Sequence, residues 1–366
     1  MPIDLVVVMS PHPLEDICEF CVVIEPHLHL LRKFEFHGYS QATGGTLLRM
    51  MAALHAPFLQ FMHLSPEWGY RDSVHGQTAL FEGGAPRLSH VSLDHVIQPG
   101  LAFPHRSVTH LMLRLDLYKG NKEESYSWIT AQLTCCPQLV HLDIGVLPWQ
   151  QYWVHSEIYA LPTLLTLECK AIDWAGASSL LHAFSLPALQ RLCINFCGNL
   201  CVDTPTGPFD LPALRTLALS YPSFPARQQP LHDAAAAFPQ ITALSLCSFG
   251  AAVAAAALCT YLRTAGTWPH VHTLAMDAAP PCEELRAMLA QRVLDGHPVA
   301  RLRLPKDAIS DGERAVLDVG APVLVEEFGH EKPFSGARDC LGITRISAVG
   351  YETRRRRRGL LVIDRA

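Results

Sequence analysis

The chain has 366 residues, nearly half of them hydrophobic and 17% charged, with a formal net charge of -5. That is ample apolar material for a large core, it argues against a mostly disordered chain, and it gives no reason to expect nucleic-acid binding by the body of the protein. The 12 cysteines are scattered, many inside apolar stretches, a pattern that fits buried thiols in a reducing compartment.

Met1–Val8 carries Asp4 and no basic n-region, which argues against a signal peptide. Pro13–His29 follows, with Leu14, Ile17, Cys18, Cys21, Val22 and Ile24 spaced as a helix. Residues 1–30 are therefore expected to form an N-terminal helical cap. Cys18 and Cys21 make a lone C-x-x-C with His27 and His29 behind it. Without a second pair at finger spacing, the two cysteines are read as one packed face of that helix rather than a zinc site.

From Leu31 onward a frame recurs, apolar residues at an anchor and at its +3 and +5 positions. Anchors fall at Leu31, Leu59, Leu88, Val108, Leu139, Leu164, Leu189, Leu214, Ile241, Val271 and Val299, in steps of 20 to 31 residues. The frame is most complete at Leu186–Cys197 and Leu211–Ser220. Positions +3 and +5 share one face of a short strand, and one such strand cannot bury that face alone. Stacking the units in parallel buries a continuous row. Proline stands two residues before the anchor at Pro57, Pro86, Pro137, Pro162, Pro187, Pro212, Pro239 and Pro269, where it is expected to stop the preceding segment.

The returns between strands include helical patterns at Gly45–His55, Ser127–Cys135, Ala177–Phe184, Ala251–Tyr261 and Glu283–Leu294. Thr204–Leu211 and Tyr221–Pro230, rich in Pro and Gly, are expected to be extended or 3-10. After Leu304 the pattern weakens, with Ala308–Leu317 a candidate last helix and Val323–Val325 a candidate last strand. Residues 327–366, which hold the five arginines Arg354–Arg358, are expected to be a disordered basic tail; the run is a solvated stretch or a nuclear-import signal.

Leu189, Leu192, Ile194 and Cys197 match the opening fixed positions of the leucine-rich-repeat signature, and most other units keep its Leu-x-x-Leu-x-Leu core. Over roughly residues 13–326 the chain resembles the repeat half of F-box/leucine-rich-repeat proteins, especially divergent fungal ones. The resemblance implies an α/β leucine-rich-repeat solenoid over residues 31–326, with a curved parallel sheet on the concave side and helices or irregular returns on the convex side. It also implies a substrate receptor of an SCF-type ubiquitin ligase. The Leu-Pro pairs at Leu161, Leu186 and Leu211 lie within repeats, and residues 1–30 carry no F-box motif. Docking to the SCF adaptor is therefore expected only if an F-box exists upstream; otherwise the chain is a plain binding scaffold.

The +2, +4 and +6 positions point away from the leucine row. There the first units place charge and imidazole: Lys33, Glu35, His63, His90, Asp94, His110, Arg114, His141, Asp143, Glu168, Lys170, Arg191 and Asn195. These residues are expected to grip a protein partner on the concave face, while small residues dominate the later units until Arg301 and Arg303. His90, His110 and His141 share the +2 column. That column offers donors to a metal, with Asp94 or Asp143 near, but an ordinary hydrated histidine ladder is the reading adopted. No nucleophile elbow, phosphate loop, dinucleotide fingerprint, metalloprotease or kinase motif is present. The expectation is a non-catalytic scaffold without cofactor or metal, with no nucleic-acid or membrane partner, in the cytoplasm, the nucleus or both.

Overall fold

A computed structural model describes residues 3–8, 25–38, 51–52, 55–66, 78–94, 101–103, 106–114, 122–147, 158–171, 174–196, 209–221, 229–248, 251–264, 266–306, 308, 323–328 and 360–364. The chain divides into two compact units, Met1–Val146 with Thr344–Ala366, and Leu147–Ile343. Both are α/β and are built on parallel strands.

In the first unit the strands are β1 (Ile3–Val8), β2 (Leu31–Gly38), β3 (Phe61–Pro66), β4 (Thr78–Ala79), β5 (His90–Asp94), β6 (Leu101–Ala102), β7 (His110–Arg114) and β8 (His141–Leu147). The main sheet runs β1-β2-β3-β5-β7-β8, every neighbouring pair parallel. β4 and β6 form a small parallel pair of their own. Helix α1 (Lys122–Thr134) precedes β8. The second unit holds β9 (Tyr159–Ala160), β10 (Thr166–Ala171), β11 (Phe184–Ser185), β12 (Arg191–Phe196), β13 (Thr216–Tyr221), β14 (Ala243–Ser248), β15 (Thr273–Met276), β16 (Arg301–Pro305) and β17 (Leu324–Phe328). Its sheet runs β10-β12-β13-β14-β15-β16-β17, again parallel throughout. Helices α2 (Trp174–Ala183), α3 (Gln229–Ala237), α4 (Ala251–Leu262) and α5 (Cys282–Leu294) fill its returns.

Every anchor of the sequence frame opens such a strand, and no anchor, +3 or +5 residue is more than 3% exposed. The rows are in register. Phe34, Met62, Val91, Leu111 and Leu142 pair in succession in the first unit. Leu167, Leu192, Leu217, Leu244, Leu274 and Leu302 do so in the second. A one-residue slip would turn every leucine out to solvent, so the period-2 pattern itself fixes the register.

The prolines do more than end a segment. The anchor N–H donates to the carbonyl three residues earlier at Leu59–Ala56, Leu88–Ala85, Leu139–Cys136, Leu164–Leu161, Leu189–Leu186, Leu214–Leu211 and Val271–Trp268, at 3.0–3.2 Å. Each of these seven units thus enters its strand through a β-turn with proline second, where its fixed φ is already correct. The first residue of that turn is buried as well, whether Ala56, Cys136, Leu186 or Trp268.

Arg292 of α5 is 2% exposed and donates to the carbonyls of Thr267, Trp268 and Val271, at 2.7, 3.1 and 2.8 Å. Burial lowers its pKa. It ties a helix to the β-turn that starts β15, and only the forked guanidinium reaches three carbonyls at once.

Several expectations need correction. Ile3–Val8 is a strand parallel to β2, where a helical cap was expected over residues 1–30. Its Ile-Asp-Leu-Val-Val-Val run is β-branched and favours extended backbone. Glu25–Leu30 is a 3-10 helix, and residues 9–24, with the Cys18/Cys21 pair, lie outside the described residues. Within the expected disordered tail, Leu360–Asp364 is a strand, β18, antiparallel to β1. It too is an apolar, β-branched run; Arg354–Arg358 lies outside the described residues. Helix α3 begins at Gln229, inside a return expected to stay extended. Pro230 sits in its first turn, where no N–H is required, and four alanines follow. The helices expected at Ser127–Cys135 and Ala177–Phe184 begin earlier, at Lys122 and Trp174. Of Gly45–His55, Met51 and Ala52 are helical; of Ala308–Leu317 only Ala308 is described. Among the described residues no helix is long and apolar enough to cross a membrane.

Leu192→Ala should destabilise the second unit by about 2–5 kcal/mol, because the cavity lies in the middle of the leucine row. Arg191→Ala, one residue earlier but on the other face, should stay within about 0.5 kcal/mol. Arg292→Lys should cost about 1–3 kcal/mol despite keeping the charge, since an ammonium cannot serve the three carbonyls in the same geometry. Chemical denaturation of the three variants checks all of these.

Candidate functional site

In each unit the strand face opposite the leucine row carries the polar residues. In the first unit the strand register sorts them into columns. The +2 column is Lys33, Phe61, His90, His110 and His141. The +4 column is Glu35, His63, Ser92, Met112 and Asp143. His37 and Ser65 pair in the +6 position, as do Asp94 and Arg114.

These side chains bind one another. Lys33 Nζ lies 2.8 Å from Glu35 Oε1 and 5.2 Å from the Phe61 ring centroid. His37 faces Glu35 at 3.9 Å and the His63 ring at 5.0 Å. Arg114 sits between two acids, 3.9 Å from Asp94 and 3.7 Å from Asp143. Gly145 makes room for this arrangement, because a Cβ there would lie 2.9 Å from the Arg114 Cα. The imidazoles of His90 and His110 stack at 4.2 Å and 18°, and those of His110 and His141 at 5.6 Å and 26°. The common column expected from the spacing is therefore a stacked row.

Hydroxyls hold the inner nitrogens of these rings. His90 Nδ1 meets Ser89 Oγ at 2.8 Å, His110 Nδ1 meets Thr109 Oγ1 at 2.9 Å, and His63 Nδ1 meets Ser92 Oγ at 2.8 Å. Ser89 and Thr109 carried no signal in the repeat frame. They stand at +1, immediately before the histidines, and that adjacency was the available clue.

The electrostatics follow from crowding on a half-buried face. Burial lowers the pKa of His63 to about 4, with the neighbouring His37 acting in the same sense. Burial, then the adjacent His110, lowers His90 to about 4, and burial lowers His110. His37 and Lys33 hold the Glu35 carboxyl down to about 2 against the opposing effect of burial. Burial thus favours the neutral ring at His63, His90 and His110.

Of the residues expected to grip a partner, Lys33, Glu35, His63, His90, Asp94, His110 and Arg114 are brought together half-buried on this face. His141 and Asp143 join them at 7% and 2% exposure, so they act mainly from beneath the surface. Glu168, Lys170, Arg191 and Asn195 belong to the second unit. There Asn195 Nδ2 donates to Glu168 Oε1 at 2.9 Å. Farther along, Cys193 and Ala218 are buried on the outward face with Cys247 against them, which makes this stretch apolar and smooth. Among the described residues, no group of three or more His, Cys, Asp or Glu side chains is placed to hold a metal ion. No family model matches the chain, and no curated protein matches it in sequence.

The pKa directions give a pH dependence with a definite sign. His63 and His90 bind protons more weakly folded than unfolded, so stability falls as pH drops from about 6.5 to about 4. Glu35 contributes stability present above about pH 4.5 and lost as pH falls toward 2. Thermal melts of the full chain should show a falling Tm from pH 7 to pH 4. The slope between pH 6.5 and 4 should flatten in His63→Gln/His90→Gln, while the loss below about pH 4.5 remains.

Proposed function

We propose that the chain is a non-catalytic protein-binding scaffold of the leucine-rich-repeat kind, and that its partner lies across the outward strand faces. One observation carries the reading: polar and aromatic side chains stand in register over β2, β3, β5, β7 and β8, on a sheet whose other face is a continuous buried row. Rigid, periodic placement of half-buried polar groups suits recognition of an extended surface. The absence of a motif for covalent, phosphoryl or hydride chemistry in the sequence is consistent with binding as the activity.

Within that reading, the resemblance to F-box/leucine-rich-repeat proteins makes the chain a receptor that presents a protein substrate for SCF-type ubiquitination. The alternative is a scaffold with no ubiquitin-ligase role. The SCF adaptor is a partner only if an F-box lies upstream. The proposed location is cytoplasmic, nuclear or both, and neither nucleic acid nor membrane is a proposed partner.

Affinity capture with mass spectrometry should recover a protein with the wild type that Asp94→Lys/Glu168→Lys fails to hold, at an unchanged Tm. Equal recovery would remove the partner from these faces. Asp143 is left intact, because its carboxylate is buried beside Arg114 and reversing it would unfold the unit. Co-purification of the SCF adaptor separates the receptor from the plain scaffold.

A further inference from the structure

Strand β1 is held in its sheet from one side and offers a pairing edge on the other. On the β2 side, Ile3–Val8 pairs in parallel from end to end. Leu5 lies in register with Phe34 and continues the buried row, at 2% and 0% exposure. Asp4 takes a forked bond from Arg32, at 2.9 and 2.6 Å. None of these attachments involves β18. The outer edge is unguarded. Its one charge, Asp4, is committed to Arg32, and Ile3–Val8 holds neither lysine nor proline, the residues that blunt a free edge. An edge of this kind is built to be paired.

The strand that pairs it is unlike the rest of the unit. The remaining pairings of this sheet are parallel, whereas β18 runs antiparallel, lies outside the repeat frame and arrives from beyond the second unit. It joins through five residue pairs, from Asp4–Asp364 to Val8–Leu360, without a shift of register. Among the described residues it pairs with no other strand. Strand addition of this sort is made through main-chain bonds, which are the same whichever copy of the chain supplies the strand. Residues 329–359 separate β18 from β17, a length that reaches about 100 Å when extended and ties β18 to no single edge.

We propose that the β1 edge is a strand-docking site, filled by the chain's own β18 in the monomer and by the β18 of a second copy in a dimer that exchanges the two strands. The second copy is the occupant whose fit is already on view, residue for residue, in the β1–β18 register. A chain that lends its β18 opens its own edge, and the partner's β18 closes it, so the exchange is complete at two copies. The pairs gained equal the pairs lost, and concentration decides between the two arrangements. The tether holds the home strand at an effective concentration on the order of 1 mM. Exchange is therefore favoured in concentrated solution, above all when the chains fold there and each β18 meets open edges on several copies. This site uses the main chain of one strand edge and is separate from the side-chain surface proposed for a partner on the outward faces.

The test refolds the full chain from denaturant at about 2 μM and about 200 μM and reads its mass by size-exclusion chromatography with light scattering. The dimer fraction should be at least about fivefold larger at the higher concentration. Successive N–H groups of a strand point to opposite sides, so Leu361→Pro/Val362→Pro removes one that faces β1 and should abolish the dimer. That full-length variant has an open edge. It should bind a fluorescein-labelled peptide of residues 359–366, with an anisotropy change that the wild type shows only at about tenfold higher peptide concentration or more. A wild type that stays monomeric at both concentrations overturns the exchange, as does a dimer that survives the two prolines. A folded variant that ignores the peptide overturns the docking site. Should the prolines unfold the first unit, the wild type decides: excess peptide during refolding at the higher concentration should suppress the dimer, and a dimer indifferent to it overturns the proposal.

Discussion

The hydrogen bond from an anchor N–H back to the carbonyl three residues earlier, made in seven of the units, is the constraint on which the other features depend. It closes a turn that proline has already half-formed, and it sets the residue at which the strand begins. Everything that follows is counted from that point. The +3 and +5 side chains go into the core because the strand starts at a fixed offset, and the +2, +4 and +6 side chains go out for the same reason. A turn shifted by one residue would bury His90 and expose Val91. The stacked imidazoles are therefore a consequence of turn chemistry as much as of histidine placement.

Most of this scaffold was legible because a period of two inside a period of 20 to 31 leaves few alternatives. Each expected strand starts where its anchor requires. The buried position that opens the turn was not legible, because Ala56, Cys136, Leu186 and Trp268 are apolar but differ widely in size and shape. Nor was Arg292, since an arginine in a helix ordinarily faces water and nothing local announces three waiting carbonyls. Strands β1 and β18 were missed for a different reason. They were read by the flanks they stand in, although their own β-branched runs favour extended backbone. On the candidate site, sequence spacing placed the columns. It could not say which nitrogen of each ring meets a hydroxyl, because the Ser92 contact to His63 crosses between strands and exists only in the assembled sheet.

The polar face of the first unit also shows how a scaffold carries charge without depending on it. Lys33 with Glu35, and Arg114 with Asp94, are partly exposed pairs, and pairs of this kind contribute little to stability; the buried Asp143 beside Arg114 is the exception. Their effect is to hold side-chain positions. Lys33 is drawn over Phe61, and Arg114 is kept against the strand where Gly145 admits it. His63, His90 and His110 add aromatic contact area at low entropic cost, and burial favours their neutral form, which spares the face the repulsion that three lysines would bring.

The antiparallel pairing of β18 with β1 joins Asp4 to Asp364. It places the second unit, Leu147–Ile343, as an insertion between the two parts of the first. A chain made from its N-terminus can stack β2, β3, β5, β7 and β8 as they emerge, since each contact is to the unit just before it. Among the described residues, the outer edge of β1 has no neighbour until residues 360–364 have been synthesised. An unpaired strand edge is the feature that templates mispairing between chains, and β18 covers this one. The order of synthesis thus makes the pairing of the β1 edge with β18 the last strand pairing of this unit to form among the described residues.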